Sequence, residues 1–237
     1  MRSRQSGFTL VEIAIVLVII GLLLGGVLKG QELINSAKIK NLVNDMNGVS
    51  TAVYGYQDRF KALPGDDLNA ATRWAAPVAT TSGDGNTVLA TGTTLHVFNS
   101  ATATNESRLF WQHLRLAGFV GGDTASTAQP LNAVGGLMGV QSGAGIQTTG
   151  AVGQGLAGLV VCQTNILGRI AESLDNQLDD GKPNGGSVRS WTQTGLVAAD
   201  GATTGVDLTV SAAGTNVVAT TYVDDGNTIY TVCKKVI

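Results

Sequence analysis

The chain has 237 residues, of which 32 are glycine and only 14% are charged, and its formal net charge is −2. That length allows one or two domains, and the near-neutral charge excludes a protein held to nucleic acid by bulk positive charge. The hydrophobic share of 43% is ordinary. Much of it lies in the first thirty residues, and the remainder is still long enough to bury a core.

Residues 1–7, MRSRQSG, carry Arg2 and Arg4 and no acid. A basic flank ahead of an apolar run is the pattern of a cytoplasmic side. The run from Leu10 to Leu28 has 19 residues. As a helix it spans roughly 28 Å, about one hydrocarbon core. A secretory signal peptide has a shorter apolar core and a small-residue cleavage site after it. Here VLKGQELINSAKIK follows, with no A-x-A site. The membrane segment is therefore expected to be retained, with any processing ahead of it. Between Gly7 and Gly26 the only charge is Glu12. A carboxylate in lipid is costly and seeks a partner.

The stretch GFTLVE, followed by some twenty apolar residues, resembles the class III signal of type IV pilins and type II secretion pseudopilins. The resemblance implies cleavage between Gly7 and Phe8 by the prepilin peptidase and N-methylation of the new terminus at Phe8. Glu12 then stands at the fifth mature position, where the family carries its glutamate. Its partner in a filament would be the α-amino group of Phe8 from a neighbouring subunit, a pair that sets axial register. An ordinary single-pass anchor with Glu12 reaching for the interface is the alternative. Gly21 falls where the family commonly has glycine. Many pilins carry a proline eight residues further on; here that position is Lys29, with Gly25, Gly26 and Gly30 around it. In family filaments this stretch can lose helicity. Glycines lower helix stability by about 1 kcal/mol each relative to alanine, so Gly21, Gly25 and Gly26 are candidates for the same softening. Close helix packing through small residues is the alternative.

Beyond the membrane segment, Ile39, Leu42, Met46, Val49, Val53, Tyr56, Phe60 and Leu63 recur at spacings of three and four. That is one apolar stripe on a helix, and Leu63-Pro64-Gly65 supplies its stop. From Phe8 to about Ala62 such a helix is roughly 80 Å long. A polar, Gly/Thr-rich stretch follows to Thr104, with a turn at SGDGN, Ser82–Asn86. Asn105 caps a short helix, ESRLFWQHLRLAG, closed at Gly118. On it His113 reads as a boundary residue; with His96 the only other histidine, no metal role is assigned. Residues 121–158 read as a long irregular loop or short-strand region without a phosphate-cradling motif. LVVCQ, Leu159–Gln163, is strand-like or opens the next helix, in which Ile166, Ile170, Leu174 and Leu178 stand four apart, ending at Gly181. TTYV-DDGN-TIYTV predicts a β-hairpin with Asp225-Gly226 in its turn.

Two widely spaced cysteines, Cys162 and Cys233, match neither a zinc nor a redox pattern. In an exported domain they read as one disulfide; two buried free thiols are the alternative. Pilins of the family also fasten their C-terminal region by a disulfide, usually around a smaller loop. The sequence has no GxSxG, HExxH or kinase motif set, so no enzyme is expected. Asp66-Asp67, Asp175/Asp179/Asp180 and Asp224-Asp225 each sit at a helix end or turn, where Asp commonly caps backbone. Pseudopilins resembling the major one of type II secretion bind calcium through C-terminal acidic loops. DNQLDDGKPNGG and VDDGN offer hard oxygen donors, but neither has EF-hand spacing, and no metal or other cofactor is assigned.

The expected fold is α+β and pilin-like: a long N-terminal helix, its first half transmembrane, packed on a globular domain with an antiparallel β-sheet. The expected organisation is a leader over 1–7, a transmembrane and polymerisation helix over 8–30, and an extracytoplasmic domain over 31–237 with its helical spine to about 63. The resemblance implies a structural subunit that passes through the inner membrane as a precursor and assembles into a homo-oligomeric helical filament. Its implied partners are the prepilin peptidase and a pilus or secretion assembly platform, with nucleic acid not firmly implied. Its final place would be the cell surface or a periplasmic fibre. A type II secretion pseudopilin and a membrane-anchored adhesin are the alternatives.

Overall fold

A computed structural model describes residues 9–76, 78–91, 94–95, 98–144, 156–193, 196 and 219–237. The elements in chain order are α1 (Leu10–Phe60), α2 (Ala70–Arg73), β1 (Ala90–Thr91), β2 (Thr94–Leu95), α3 (Glu106–Leu116), β3 (Met138–Ala144), β4 (Ala157–Leu167), α4 (Gly168–Leu178), β5 (Val188–Gln193) and β6 (Ile229–Lys235). The chain divides into two compact units, Met1–Lys38 and Ile39–Ile237.

In the first unit no described residue is buried. Its part of α1 is apolar on all sides, with Leu10, Leu17, Leu22 and Leu28 each more than 60% exposed. A helix that is apolar all round needs lipid or protein around it. It is long and apolar enough to cross a membrane. Between Glu12 and Lys29 it carries no charge. Lys29 then donates to Glu32 at 2.7 Å, one turn on.

In the second unit the α1 residues Leu42, Met46, Val49, Ala52, Val53 and Tyr56 are buried. All but Ala52 are positions of the apolar stripe, so the three-and-four spacing marks the face that packs. A four-stranded sheet, in the order β3-β4-β6-β5, is antiparallel throughout. Successive side chains alternate between its faces. On one face Met138, Val140, Val161, Val232 and Tyr230 join the α1 stripe and Phe110, Trp111, Leu114, Ile170 and Leu174 from α3 and α4 in the main core. The other face carries a smaller cluster of Phe98, Leu137, Val160, Cys162, Trp191 and Cys233. Gln163, on the inner face of β4, donates to the carbonyl of Leu42 at 3.2 Å and fastens sheet to helix. The fold is α+β and pilin-like.

Three local expectations change. The strand around Cys162 runs on to Leu167, because Ile166 and Leu167 pair with Tyr230 and Ile229. The helix therefore starts at Gly168 and Ile166 lies in the strand. A register shift at Asn165, whose φ is +64°, lets the ladder resume after Gln163. The C-terminal hairpin does not form. Its turn is there: Asp225 Oδ1 accepts from the N–H groups of Asn227 and Thr228. The residues before it, 220–223, are not a strand; β6 instead finds both partners in β4 and β5. The third change is His113, which is fully buried. Its Nδ1 accepts from the Gly65 N–H at 3.0 Å, which puts the ring proton on Nε2, facing the Thr81 carbonyl at 2.9 Å. Burial pushes its pKa down, and the neutral ring joins the 65 and 81 loops.

Candidate functional site at the first turn of the N-terminal helix

Helix α1 begins with four N–H groups that lack helical partners. Thr9 and Glu12 satisfy two of them. Glu12 Oε2 accepts from the Thr9 N–H and from Thr9 Oγ1, both at 2.8 Å. The Glu12 N–H returns to Thr9 Oγ1 at 3.3 Å. This is a capping box, a Thr and a Glu three apart that close on each other's backbone. The sequence signal is T-L-V-E, and the reading of Glu12 as a residue awaiting an external partner passed over it. Glu12 thus has an internal partner, and it remains exposed at the head of the apolar helix.

Gly7 and Phe8 lie outside the described residues. Gly21, Gly25, Gly26 and Gly30 are all helical, with open space where each side chain would be. The described positions place the carboxylate in the first turn of α1, with the uncharged stretch directly behind it.

The sequence-flagged acids of the second unit fall into three different settings. Asp66 and Asp67 are buried structural acids. Asp66 accepts from the N–H groups of Gly85, Asn86 and Thr87 at 2.7, 3.0 and 2.7 Å, and so builds the SGDGN turn. Glu106 accepts from the N–H groups of Asp84 and Ala90 at 2.9 and 2.6 Å. Asp66, Asp84 and Glu106 lie close enough to share an ion, but backbone N–H groups occupy the oxygens of Asp66 and Glu106. Burial, reinforced by the charges of Asp66 and Asp84, pushes the Glu106 carboxyl up to about 7. Asp67 accepts from Tyr56 Oη at 2.7 Å and from Arg73. Arg73 in turn lies over Phe60, 4.3 Å from the ring centre. Asp225 is closed into its turn by Asn227 and Thr228. Asp175, Asp179 and Asp180 converge at the end of α4, with ligand oxygens within 4.8 Å of one another.

Cys162 and Cys233 stand opposite each other on β4 and β6 and form a disulfide with a Cα–Cα distance of 4.0 Å. It ties the last strand to the centre of the sheet across 71 residues.

Residues 2–28 match the family described as the prokaryotic N-terminal methylation motif. Comparison with curated proteins and with solved structures returned no match. Over residues 2–28, which include the start of α1, the chain carries the class III signal of type IV pilins and pseudopilins.

Proposed function

We propose that the mature chain, Phe8–Ile237, is a structural subunit of a type IV pilus or pilus-like fibre, assembled through α1 after prepilin peptidase removes residues 1–7. The observation that carries this reading is the Thr9–Glu12 capping box inside the matched motif. It offers a way to hold a carboxylate in lipid: before assembly Glu12 is satisfied by Thr9. In the fibre the methylated Phe8 terminus of a neighbour offers a full positive charge, and a charge-assisted bond is stronger than a neutral one. Exchange of one partner for the other favours docking in a single register. Gly21, Gly25 and Gly26 are proposed to let the helix soften as it leaves the membrane. Loss of Arg2 and Arg4 with the leader takes the side-chain charge from −2 to −4.

Residues 8–30 would serve as membrane anchor and polymerisation helix, and 31–237 as the extracytoplasmic domain. A role as a type II secretion pseudopilin uses the same helix and the same peptidase, so phenotype discriminates the two. Surface filaments visible by electron microscopy and lost on deletion support the pilus. Absent filaments with abolished exoprotein release support secretion. Neither phenotype, together with a tight ligand for the second unit, would favour a membrane-anchored adhesin.

A further inference from the structure

Strand β6 fixes the two ends of the second unit. Gln163, which stands opposite Val232 of β6, bonds to the Leu42 carbonyl. Lys234 donates to Asn47 Oδ1 at 2.6 Å, and the Tyr54 hydroxyl donates to the Val236 carbonyl at 3.0 Å. Rising numbers on α1 thus meet rising numbers on β6, so the two run in the same direction. The turn before β6 and the loop after α1 therefore lie at opposite ends of the unit. Between them run the seven residues of β6, roughly 20 Å of strand.

An open cavity of about 430 Å³ lies at the C-terminal end of α1, lined by Gln57, Lys61, Ala62, Leu63, Thr87 and Ile237. Three of these are aliphatic, and the other three offer an amide, an ammonium and a hydroxyl. Lys61 and Thr87 have φ +54° and +70°, the left-handed backbone that glycine adopts at least cost. Two side chains are kept there against that preference, and both line the cavity. Lys61 Nζ reaches Asp58 at 3.2 Å, but the two side chains are 77% and 90% exposed. An ion pair standing in water is worth little and exchanges readily.

The 223–227 turn stands at the opposite end. Val223 is 45% exposed, and Asp224, Asp225, Gly226 and Asn227 are all exposed. Asp225 is committed to its own turn through Asn227 and Thr228. Asp224 takes no part in that closure. An aliphatic side chain beside an acid, on an exposed turn, complements a cavity with aliphatic walls and a lysine.

We propose that a second copy of this chain seats its 223–227 turn in the cavity, with the partner subunit's Asp224 on Lys61 and the partner subunit's Val223 against Leu63 and Ile237. The contact joins two different patches, one from each end of the unit. A head-to-tail contact of this kind closes no two-fold dimer; repeated, it builds a ring or an open helical array. The proposal rests on the fibre reading and adds to it a contact made by the second unit rather than by the assembly helix. Its opposite charges select which neighbour fits and in which register.

Intact fibres of the full chain carrying Lys61→Cys together with Asp224→Cys test the contact. The two native cysteines are bonded to each other and none is free, so the introduced thiols are the only ones available. Mild oxidation is expected to turn the subunits into a ladder of dimers, trimers and higher species on a non-reducing gel, collapsed by reductant. Each single variant is expected to give no ladder. Charge reversal gives a second readout. Lys61→Glu and Asp224→Lys are each expected to lower the yield of sheared fibres about threefold or more, and their combination to restore it. Both residues are exposed, so each variant is expected to keep the parent's melting temperature. Fibres that form but give no ladder, or a combined reversal no better than the single ones, would overturn the contact and leave the fibre reading standing. So would dimers from either single variant, which would place that residue opposite itself. A parent chain that makes no fibres would overturn both.

Discussion

Thr9 and Glu12 close the first turn of α1 on each other, side chain to backbone in both directions. The pair gives the carboxylate at the head of an uncharged, lipid-length helix two internal donors, both on Oε2. In the proposed fibre Thr9 is the partner that a neighbour's terminus would replace. Thr9→Val keeps the side-chain volume and removes the hydroxyl, a loss of about 1 kcal/mol at a helix cap. Fibre yield, measured as sheared fibres against membrane-held subunit, is expected to fall in Thr9→Val and to recover in Thr9→Ser. Glu12→Val removes both the internal and the proposed intersubunit partner. It is expected to leave cleavage at Gly7 largely intact and to impair fibres more than Thr9→Val does. Normal fibres from Glu12→Val would contradict the register pair.

The disulfide spans the two central strands of the sheet, joining cysteines 71 positions apart in the chain. Closing a loop of that size in the unfolded chain is worth about 4 kcal/mol. In a unit of this size that corresponds to roughly 8–16 °C of melting temperature. Replacing both cysteines by serine, Cys162→Ser with Cys233→Ser, is expected to lower the thermal midpoint by this order. Calorimetry of the double variant, compared with the reduced parent chain, checks it.

Glu106 gives stability a pH dependence whose sign is fixed by its raised carboxyl. In the unfolded chain it titrates near the ordinary glutamate value, and in the fold near 7. The folded state therefore holds the proton more tightly. Its contribution is fully present below the unfolded value and is lost as the pH rises through the folded one. Thermal midpoints are expected to decline between about pH 4.5 and 7. Glu106→Gln is expected to flatten this part of the profile, while costing some stability at every pH because one backbone N–H loses its acceptor. A profile equally steep in the variant would assign the slope to other groups.

Tyr56 joins the α1 stripe to the loop after it, through Asp67. Tyr56→Phe keeps the ring contacts with Phe60, Trp74 and Phe119 and deletes the bond to a buried carboxylate. A loss of about 1–3 kcal/mol is expected, measured by denaturant unfolding. Arg73 still pairs with Asp67, which keeps the loss below that of removing the acid itself.

Long-period features were legible in the sequence. The apolar run and the three-and-four stripe gave α1 and its packed face, because each rests on many residues that agree. The cysteine pairing followed from there being only two. The short-range expectations fared differently. TTYV and TIYTV have the pattern of two hairpin strands, but β6 finds longer partners in β4 and β5, and Tyr222 is drawn to Asp175 and Ser190 instead. Ile166 fits a helical spacing with Ile170 and Leu174, yet its pairing with Tyr230 keeps it in the strand. His113 looked like a boundary residue because nothing local foretells that the Gly65 N–H and the Thr81 carbonyl converge on its ring. Asp175 is the same case: α4 provides it, while Tyr222 arrives from 47 residues further on.

Gly7 and Phe8 carry the first step of the proposed pathway. Intact mass and peptide spectra of the chain purified from membranes and fibres test that step most directly. The expected result is a mature terminus at Phe8 bearing one methyl group, with the full precursor accumulating when Gly7 is replaced by a bulky residue. A mature chain that still begins at Met1, or that is cut after the apolar run, would contradict it.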